Sequence, residues 1–398
     1  MAHSMTLHGS EMRVAVVHDW LYVFGGAERV LRSILRVVPG ADLYTLFDVM
    51  SEADRRLVGF ETATTSFLQH MPGIRKRHRS YLPLMPLAVE QFDLSRYDLV
   101  ISSSYAVAKG VLTGPDQLHL AYVHSPMRYA WDLQYRYLAE SGLTRGVKGA
   151  LARVLLHRMR LWDTRTAHGV DAYAANSQFI ARRVAKAYGR KAEVIYPPVQ
   201  VPASLAATAK GGYFLTASRL VPYKNVRAVV EAFGLLPEQR LIVVGSGPDL
   251  PRLQRIAAGN VEFRGFVPDA DLTALMAGAS AFVYAAEEDF GIVLVEAQGQ
   301  GTPVIALGRG GARESVAAGG PHPTGLFFDA PEPADIAAAV RSFLSRPVPL
   351  RAADCHANAS RFSEDQFEET FRAFIGHHWA QHCERLQRGT QAVLRAAA

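Results

Sequence analysis

Short unbroken apolar runs alternate along this chain with segments whose apolar residues recur every three or four positions. The runs fit strands buried on both faces of a parallel sheet, and the periodic segments fit amphipathic helices. In the first half the pattern predicts strands at Arg13–His18, Leu43–Phe47, Asp98–Ser102, His119–His124, Ala172–Asn176 and Val194–Tyr196. A helix bearing Val30, Leu31, Ile34, Leu35 and Val38 follows Gly25-Gly26 and stops at Pro39-Gly40, and a basic helix covers Leu151–Trp162. Pro197–Gly212, rich in Pro, Ala and Gly and without period, reads as a linker. The alternation then restarts, with strands at Tyr213–Ala217, Leu241–Gly245, Val261–Arg264, Ala281–Tyr284 and Pro303–Ala306. Helices fall between them at Asn225–Gly234, Leu250–Ala258, Asp271–Ala277 and Ile292–Gln300. Such alternation predicts two doubly wound α/β domains, with ligands beyond the carboxyl ends of the strands and a site in the cleft between the halves.

The 398 residues suit two domains rather than one, and 49% hydrophobic with 20% charged residues excludes wholesale disorder. No apolar run reaches the roughly 18 residues that span a bilayer. Met1–Glu11 lacks an apolar core and is expected to be a loose start or tag remnant rather than a signal peptide, with Met12 a native beginning. Two cysteines, Cys355 and Cys383, make no disulfide framework and fit a reduced cytoplasmic setting. The net charge is +6, and basic residues gather in Arg75-Lys76-Arg77-His78-Arg79 and over Arg145–Arg165. No aromatic-basic repeat or zinc-finger spacing accompanies these clusters, so nucleic acid is not expected as a partner.

Candidate chemistry gathers at predicted strand ends. Gly25-Gly26-Ala27-Glu28-Arg29 lets backbone approach a ligand at a helix N-terminus that favours phosphate; a tight turn alone would also need the glycines. Arg219 and Lys224 place a forked cation and a reaching one in the first loop of the second half, suited to a diphosphate, although a solvated loop carries such cations too. Glu287-Glu288-Asp289-Phe290-Gly291 leads into a helix whose first turns hold Glu296, and carboxylates accept hydrogen bonds from sugar hydroxyls; a helix start decorated with acids is the plainer alternative. His124 ends a buried strand, as a structural histidine or a ligand contact. Gly245-Ser246-Gly247-Pro248 and Gly310-Gly311 are further glycine loops. Asp269-Ala270-Asp271 mimics a metal pair but follows Pro268 and is expected to cap a helix. His377, His378 and His382 are expected on a solvated face without a carboxylate partner, so no metal site is expected.

Together these residues resemble the retaining glycosyltransferases of family 4, with the GT-B fold, from about Arg13 to Phe374. The most specific parts are Ser218-Arg219-Leu220-Val221-Pro222-Tyr223-Lys224 and Glu288-Asp289-Phe290-Gly291 through Glu296. Val17-His18-Asp19-Trp20, Tyr81-Leu82-Pro83-Leu84-Met85-Pro86, Ile101-Ser102-Ser103-Ser104, the stretch His124–Asp132 and Ile195-Tyr196-Pro197-Pro198-Val199 resemble the WbaZ-like branch of O-antigen and exopolysaccharide mannosyltransferases. The resemblance implies two Rossmann-like domains facing a central cleft, over residues 12–200 and 205–376, with 377–398 packing back on the first. It implies GDP-mannose as donor, a lipid-linked saccharide as acceptor, and no metal or other cofactor. Position by position, Arg219 and Lys224 would bind the donor diphosphate, with Gly25 and Gly26 approaching it through their backbone. Glu288 would hold hydroxyls of the transferred sugar, and Glu296 the ribose. His124 would contact the sugar and stabilise charge developing on it; Phe266 would lie near the base. Gly245, Phe290, Gly291 and Ile292 complete the implied donor side, and Asp19 and Arg128 face the acceptor. Gly299 departs from the family's apolar filling and is expected to shorten its helix.

The cations at Arg75–Arg79 beside Tyr81, Leu82, Leu84, Met85 and Leu87 would suit the anionic inner leaflet, giving a cytoplasmic protein held peripherally at the membrane; a solvated surface helix is the alternative. A UDP-sugar donor, a nucleotide-sugar epimerase of the same architecture and a non-catalytic sugar-binding protein are the rival functions. The aromatic stretch His124–Trp131 argues for an acceptor, and Arg219, Lys224 and Glu288 together argue for catalysis.

Overall fold

A computed structural model describes residues 4–206 other than 8 and 9, and residues 208–397; side chains are described from residue 12 to residue 388. The chain divides into two compact units, Met1–Tyr196 with Phe367–Ala398, and Pro197–Gln366.

The first unit is built on strands β1 (Ser4–Leu7), β2 (Ser10–His18), β3 (Asp42–Thr45), β4 (Thr64–Thr65), β5 (Leu99–Ser104), β6 (Leu118–Val123), β7 (Ala172–Ala175) and β8 (Ala192–Val194). Their order is β4-β3-β2-β5-β6-β7-β8, all parallel, while β1 pairs antiparallel with β2. The expected loose start is thus a strand over Ser4–Leu7; residues 1–3, 8 and 9 of that segment lie outside the described residues. Alternation along β2 feeds two cores. Val14 and Val16 pack with Val30, Leu31, Ile34 and Val37 of the helix Gly26–Val37, whereas Ala15 and Val17 pack with Met85 and Val89. Burying each such aliphatic side chain contributes about 1.5–3 kcal/mol, so register and helix face are fixed together. Phe367, Phe371, Phe374 and Ile375 of the final helix Glu364–Ala397 complete the first of these cores. The return to this unit therefore comes at Phe367, earlier than position 377. The expected solvated histidine face is partly packed: His382 is buried with Nε2 3.0 Å from Asp116 O, and His378 Nε2 lies 2.9 Å from Glu193 Oε1.

The second unit is built on β9 (Tyr213–Ala217), β10 (Arg240–Val244), β11 (Val261–Gly265), β12 (Ala281–Tyr284), β13 (Val304–Leu307) and β14 (Gly325–Phe328), parallel in the order β11-β10-β9-β12-β13-β14. Phe214, Leu241 and Val283 enter one core with Val229 and Phe233; Leu215, Ile242 and Phe282 enter the other with Leu294 and Ala297. The expected linker is largely part of this unit: Val199 N donates to Phe362 O at 2.9 Å, and Lys210 Nζ reaches Ala277 O and Thr302 Oγ1, each at 2.9 Å. Residue 207 of that stretch lies outside the described residues. Asp269 and Asp271 stand in the first turn of the helix Asp269–Gly278, where they complement its dipole, while Pro268 takes the capping position. Gly299 is the last residue of the helix Ile292–Gly299.

Both strand orders reverse once, between β2 and β5 and between β9 and β12. In open α/β sheets the crevice beyond the carboxyl ends at such a reversal is where ligands bind.

Candidate active site

In the second unit, the loop after β9 makes a single 3-10 turn, Pro222–Lys224, and Asn225 follows in the left-handed region with φ 53°. Asn225 Nδ2 donates to Ala285 O at 2.9 Å, which ties this loop to the end of β12. Lys224 Nζ consequently bonds Glu288 Oε1 and lies 3.2 Å from the Tyr284 hydroxyl, which donates to the same carboxylate oxygen. The side chains of Lys224 and Glu288 are each 17% exposed, desolvated enough to strengthen their fields yet reachable by a ligand. Burial, then the Glu288 charge, holds the Tyr284 phenol well above its ordinary pKa, so it stays a donor. Arg219 is exposed at the start of the loop, with Nη2 3.2 Å from the Tyr223 hydroxyl.

Two glycines make this geometry possible. Gly245 has φ 130°, and a Cβ there would meet Ser218 O at 1.9 Å, so only glycine lets the β10 loop close on the Arg219 loop. Gly310 has φ 63° and bridges Glu288; a Cβ there would stand 2.3 Å from Glu288 O. Gly291, at φ 89°, precedes the helix that Ile292 begins, and Leu294 N donates to Gly291 O at 2.9 Å, so the N–H groups of Ile292 and Val293 stand ahead of that first bond. Glu296 is half-buried in its second turn. Phe266 is 78% exposed and follows Gly265, whose carbonyl accepts from Gly245 N at 2.7 Å. Phe290 departs from its implied role as a side-chain contact: its ring is buried against Phe362 at 5.2 Å and belongs to the core.

In the first unit, His18 ends β2 and pairs in register with Ser103 of β5. Ser103 Oγ lies 3.1 Å from His18 Nδ1 and 2.8 Å from His124 Nε2. His124 therefore does stand at a carboxyl strand end, and burial, with His18 adding to it, lowers its pKa to about 3 and keeps the ring neutral. Gly25 caps the helix that Gly26 begins, and its N–H donates to Glu28 Oε2 at 3.0 Å. Arg128 is half-buried with Nε 3.3 Å from Ser125 Oγ.

Asp19 overturns its implied acceptor role. It is fully buried, and its two oxygens accept from four backbone N–H groups: Tyr105 at 2.6 Å, Ala106 at 2.8 Å, Val107 at 2.6 Å and Ala108 at 2.7 Å. It anchors the loop after β5 and has no oxygen left for a substrate hydroxyl. The sequence reading missed Tyr284, Asn225, His18, Ser103 and Glu28 as members of these clusters. Tyr284 was visible as the last residue of a predicted strand, and Ser103 as part of Ile101–Ser104.

Residues 24–201 match the family model "Glycosyltransferase Family 4", and residues 201–362 match "Glycosyl transferases group 1". A GDP-mannose-dependent monoacylated alpha-(1-6)-phosphatidylinositol monomannoside mannosyltransferase of Corynebacterium glutamicum is 33% identical over 178 residues, which cover 37% of this chain and 47% of that protein. O-antigen chain mannosyltransferase B of Escherichia coli is 35% identical over 106 residues, 24% of this chain and 28% of that protein. The chain spans about half or less of the length of these curated relatives. Among solved structures, Anabaena HepE in complex with UDP superimposes with a TM-score of 0.66 at 19% identity, over 91% of this chain and 100% of that one. The lipopolysaccharide outer core galactosyltransferase WaaB gives 0.60 at 15%, over 91% and 98%. At such identities the likeness is one of fold, and the fold is GT-B with two Rossmann-like domains.

Proposed function

We propose that this chain, with a family 4 glycosyltransferase domain followed by a group 1 domain, moves a hexose from a nucleoside diphosphate donor to an acceptor hydroxyl with retention of the anomeric configuration. One observation carries the reading: Lys224, Glu288 and Tyr284 meet beyond the strand reversal of the second sheet, with Arg219 on the same loop. Cations suited to a diphosphate would then stand beside a carboxylate suited to sugar hydroxyls. Departure of the nucleoside diphosphate builds negative charge. Arg219, Lys224 and the first N–H groups of the Ile292–Gly299 helix would stabilise it without reorganising, a role that calls for no metal. Glu288 would hold sugar hydroxyls and favour the positive charge on the anomeric carbon; the leaving phosphate would take the acceptor proton. Glu296 would serve the ribose, Phe266 the base, and neutral His124 the sugar.

The finer reading is mannose from GDP-mannose onto a lipid-linked saccharide in O-antigen or exopolysaccharide assembly. The name of the Corynebacterium relative supports the donor and a lipid-borne acceptor, and that of the Escherichia relative supports mannose and the O-antigen setting. A UDP-sugar donor is the second reading, favoured by the UDP held in HepE. Peripheral contact with an anionic leaflet is part of the proposal. The exposed cations Arg75, Lys76, Arg77 and Arg79 have exposed Leu84 and Leu87 nearby in sequence. The helix Gly146–Thr166 leaves Val147, Leu151, Val154 and Leu161 exposed at one-face spacing, with exposed Lys148 and Arg158 beside them. No described helix is long and apolar enough to cross a membrane.

The test is a turnover screen across GDP-mannose and UDP-glucose, each with and without EDTA and a lipid-linked acceptor. GDP-mannose turnover that survives EDTA and yields an α-linked product is expected. UDP-glucose turnover alone would move the donor, EDTA sensitivity would end the metal-free reading, and turnover of neither would end the GDP-mannose reading.

A further inference from the structure

A line of polar contacts in the first unit runs from the Gly25 turn to His124. Gly25 N donates to Glu28 Oε2 at 3.0 Å, and Glu28 Oε1 lies 3.7 Å from His18 Nε2. His18 Nδ1 then meets Ser103 Oγ at 3.1 Å, and Ser103 Oγ meets His124 Nε2 at 2.8 Å. All four side chains from Glu28 to His124 are buried, and Tyr105 closes the edge of both imidazoles, its ring 5.7 Å from His18 and 5.9 Å from His124.

A serine hydroxyl carries one proton, so Ser103 donates to one imidazole and accepts from the other. The far end of the line sets the direction. His18 Nε2 is buried without a hydrogen-bond partner and faces a carboxylate oxygen. A lone pair there would be repelled by that charge, and an N–H is attracted by it. Where the His18 ring carries a single proton, that proton sits on Nε2; Nδ1 then accepts, Ser103 donates to it, and Ser103 Oγ accepts from His124 Nε2–H. His124 is left with Nδ1 unprotonated.

We propose that Glu28, His18 and Ser103 are positioning residues that hold His124 as its Nε2–H tautomer, presenting the Nδ1 lone pair to a hydroxyl of the transferred sugar. The sugar contact rests on the transferase reading; the tautomer does not. Burial, which keeps His124 neutral, leaves the tautomer to be decided by this line of contacts.

The experiment is long-range proton–nitrogen NMR of the full chain labelled at histidine nitrogens, on the alkaline side of neutrality, with His18→Asn and His124→Asn for assignment. Nε2–H at both rings is expected. In Glu28→Gln the Gly25 N–H retains the side-chain oxygen, which turns the amide NH2 toward His18 Nε2. His18 must then accept there, the order reverses, and His124 becomes Nδ1–H. Turnover should fall about 3- to 10-fold, the value of one hydrogen bond, with donor KM little changed. Ser103→Ala should release the His124 tautomer, and Ser103→Thr should restore it. Nδ1–H at His124 in the unaltered protein, or an unchanged tautomer in folded Glu28→Gln, overturns the relay. A switched tautomer with unchanged turnover overturns the sugar contact alone, and because the spectra need no turnover, they decide the relay even if the transferase reading fails.

Discussion

Asp19→Asn keeps the side-chain volume and removes the charge that four backbone N–H groups share. Oδ2 accepts from Tyr105 and Ala106, and Oδ1 from Val107 and Ala108, at 2.6–2.8 Å in a fully buried site. An asparagine can keep one oxygen against one pair and must set its NH2 against the other. Two buried donors left unsatisfied cost about 1–3 kcal/mol each, so the loss should be about 2–6 kcal/mol, and Asp19→Ala, which frees all four, should lose more. The chain's four tryptophans, Trp20, Trp131, Trp162 and Trp379, all lie in the first unit, so tryptophan fluorescence during urea unfolding reports that unit alone. This matters because a chain of two units need not unfold in one step. A midpoint shift equivalent to several kcal/mol is expected. A shift below about 1 kcal/mol together with lost transfer would make Asp19 an acceptor contact and refute the anchoring role.

Acid should destabilise the first unit through its buried histidines. His124 and His119 are lowered from 6.5 to about 3 and about 4, so between those values the unfolded chain binds more protons. Stability is therefore full above about pH 6.5 and falls as the pH drops toward 4, by up to about 1.4 kcal/mol per unit per histidine. His119→Gln should flatten that slope in fluorescence-detected urea midpoints; an identical slope contradicts the assignment. Glu288→Gln should lower transfer by about 100-fold while leaving nucleoside diphosphate affinity within about threefold, because on the proposed reading it would remove a sugar contact and release Lys224; calorimetry showing equal losses of both would refute the division of roles. Replacing Arg75, Lys76, Arg77 and Arg79 by Gln should weaken sedimentation with anionic vesicles, by about 1 kcal/mol per cation at the surface, and unchanged binding would end that proposal.

Strands buried on both faces were the most legible part of the fold. Tyr213–Ala217 and Ala281–Tyr284 agree with expectation residue for residue, because short runs rich in aromatic and β-branched residues favour a buried strand over a helix. Thr64–Thr65 is too short to carry a pattern, and Gly325–Phe328 opens on glycine, so neither was predicted. Among the candidate residues, Lys224 and Glu288, which the structure brings together, were nameable from the sequence because strand-end loops concentrate charge that no core needs. The His18–Ser103–His124 line was not, since it depends on which residues of β2, β5 and β6 stand side by side, and parallel register is set by packing between distant segments. Asp19 misled for a related reason: a carboxylate after a strand looks the same in sequence whether it meets a substrate or four amides.

The central claim, that the Arg219–Lys224 loop grips a diphosphate, is tested most directly by titration calorimetry of GDP and UDP into the unaltered chain, Arg219→Ala and Lys224→Ala, with folding checked by circular dichroism. Losing one charge-assisted contact should weaken the tighter-binding nucleotide by about 10- to 150-fold in each variant. Affinity for both nucleotides within about twofold of the unaltered chain, in variants that fold normally, would contradict it.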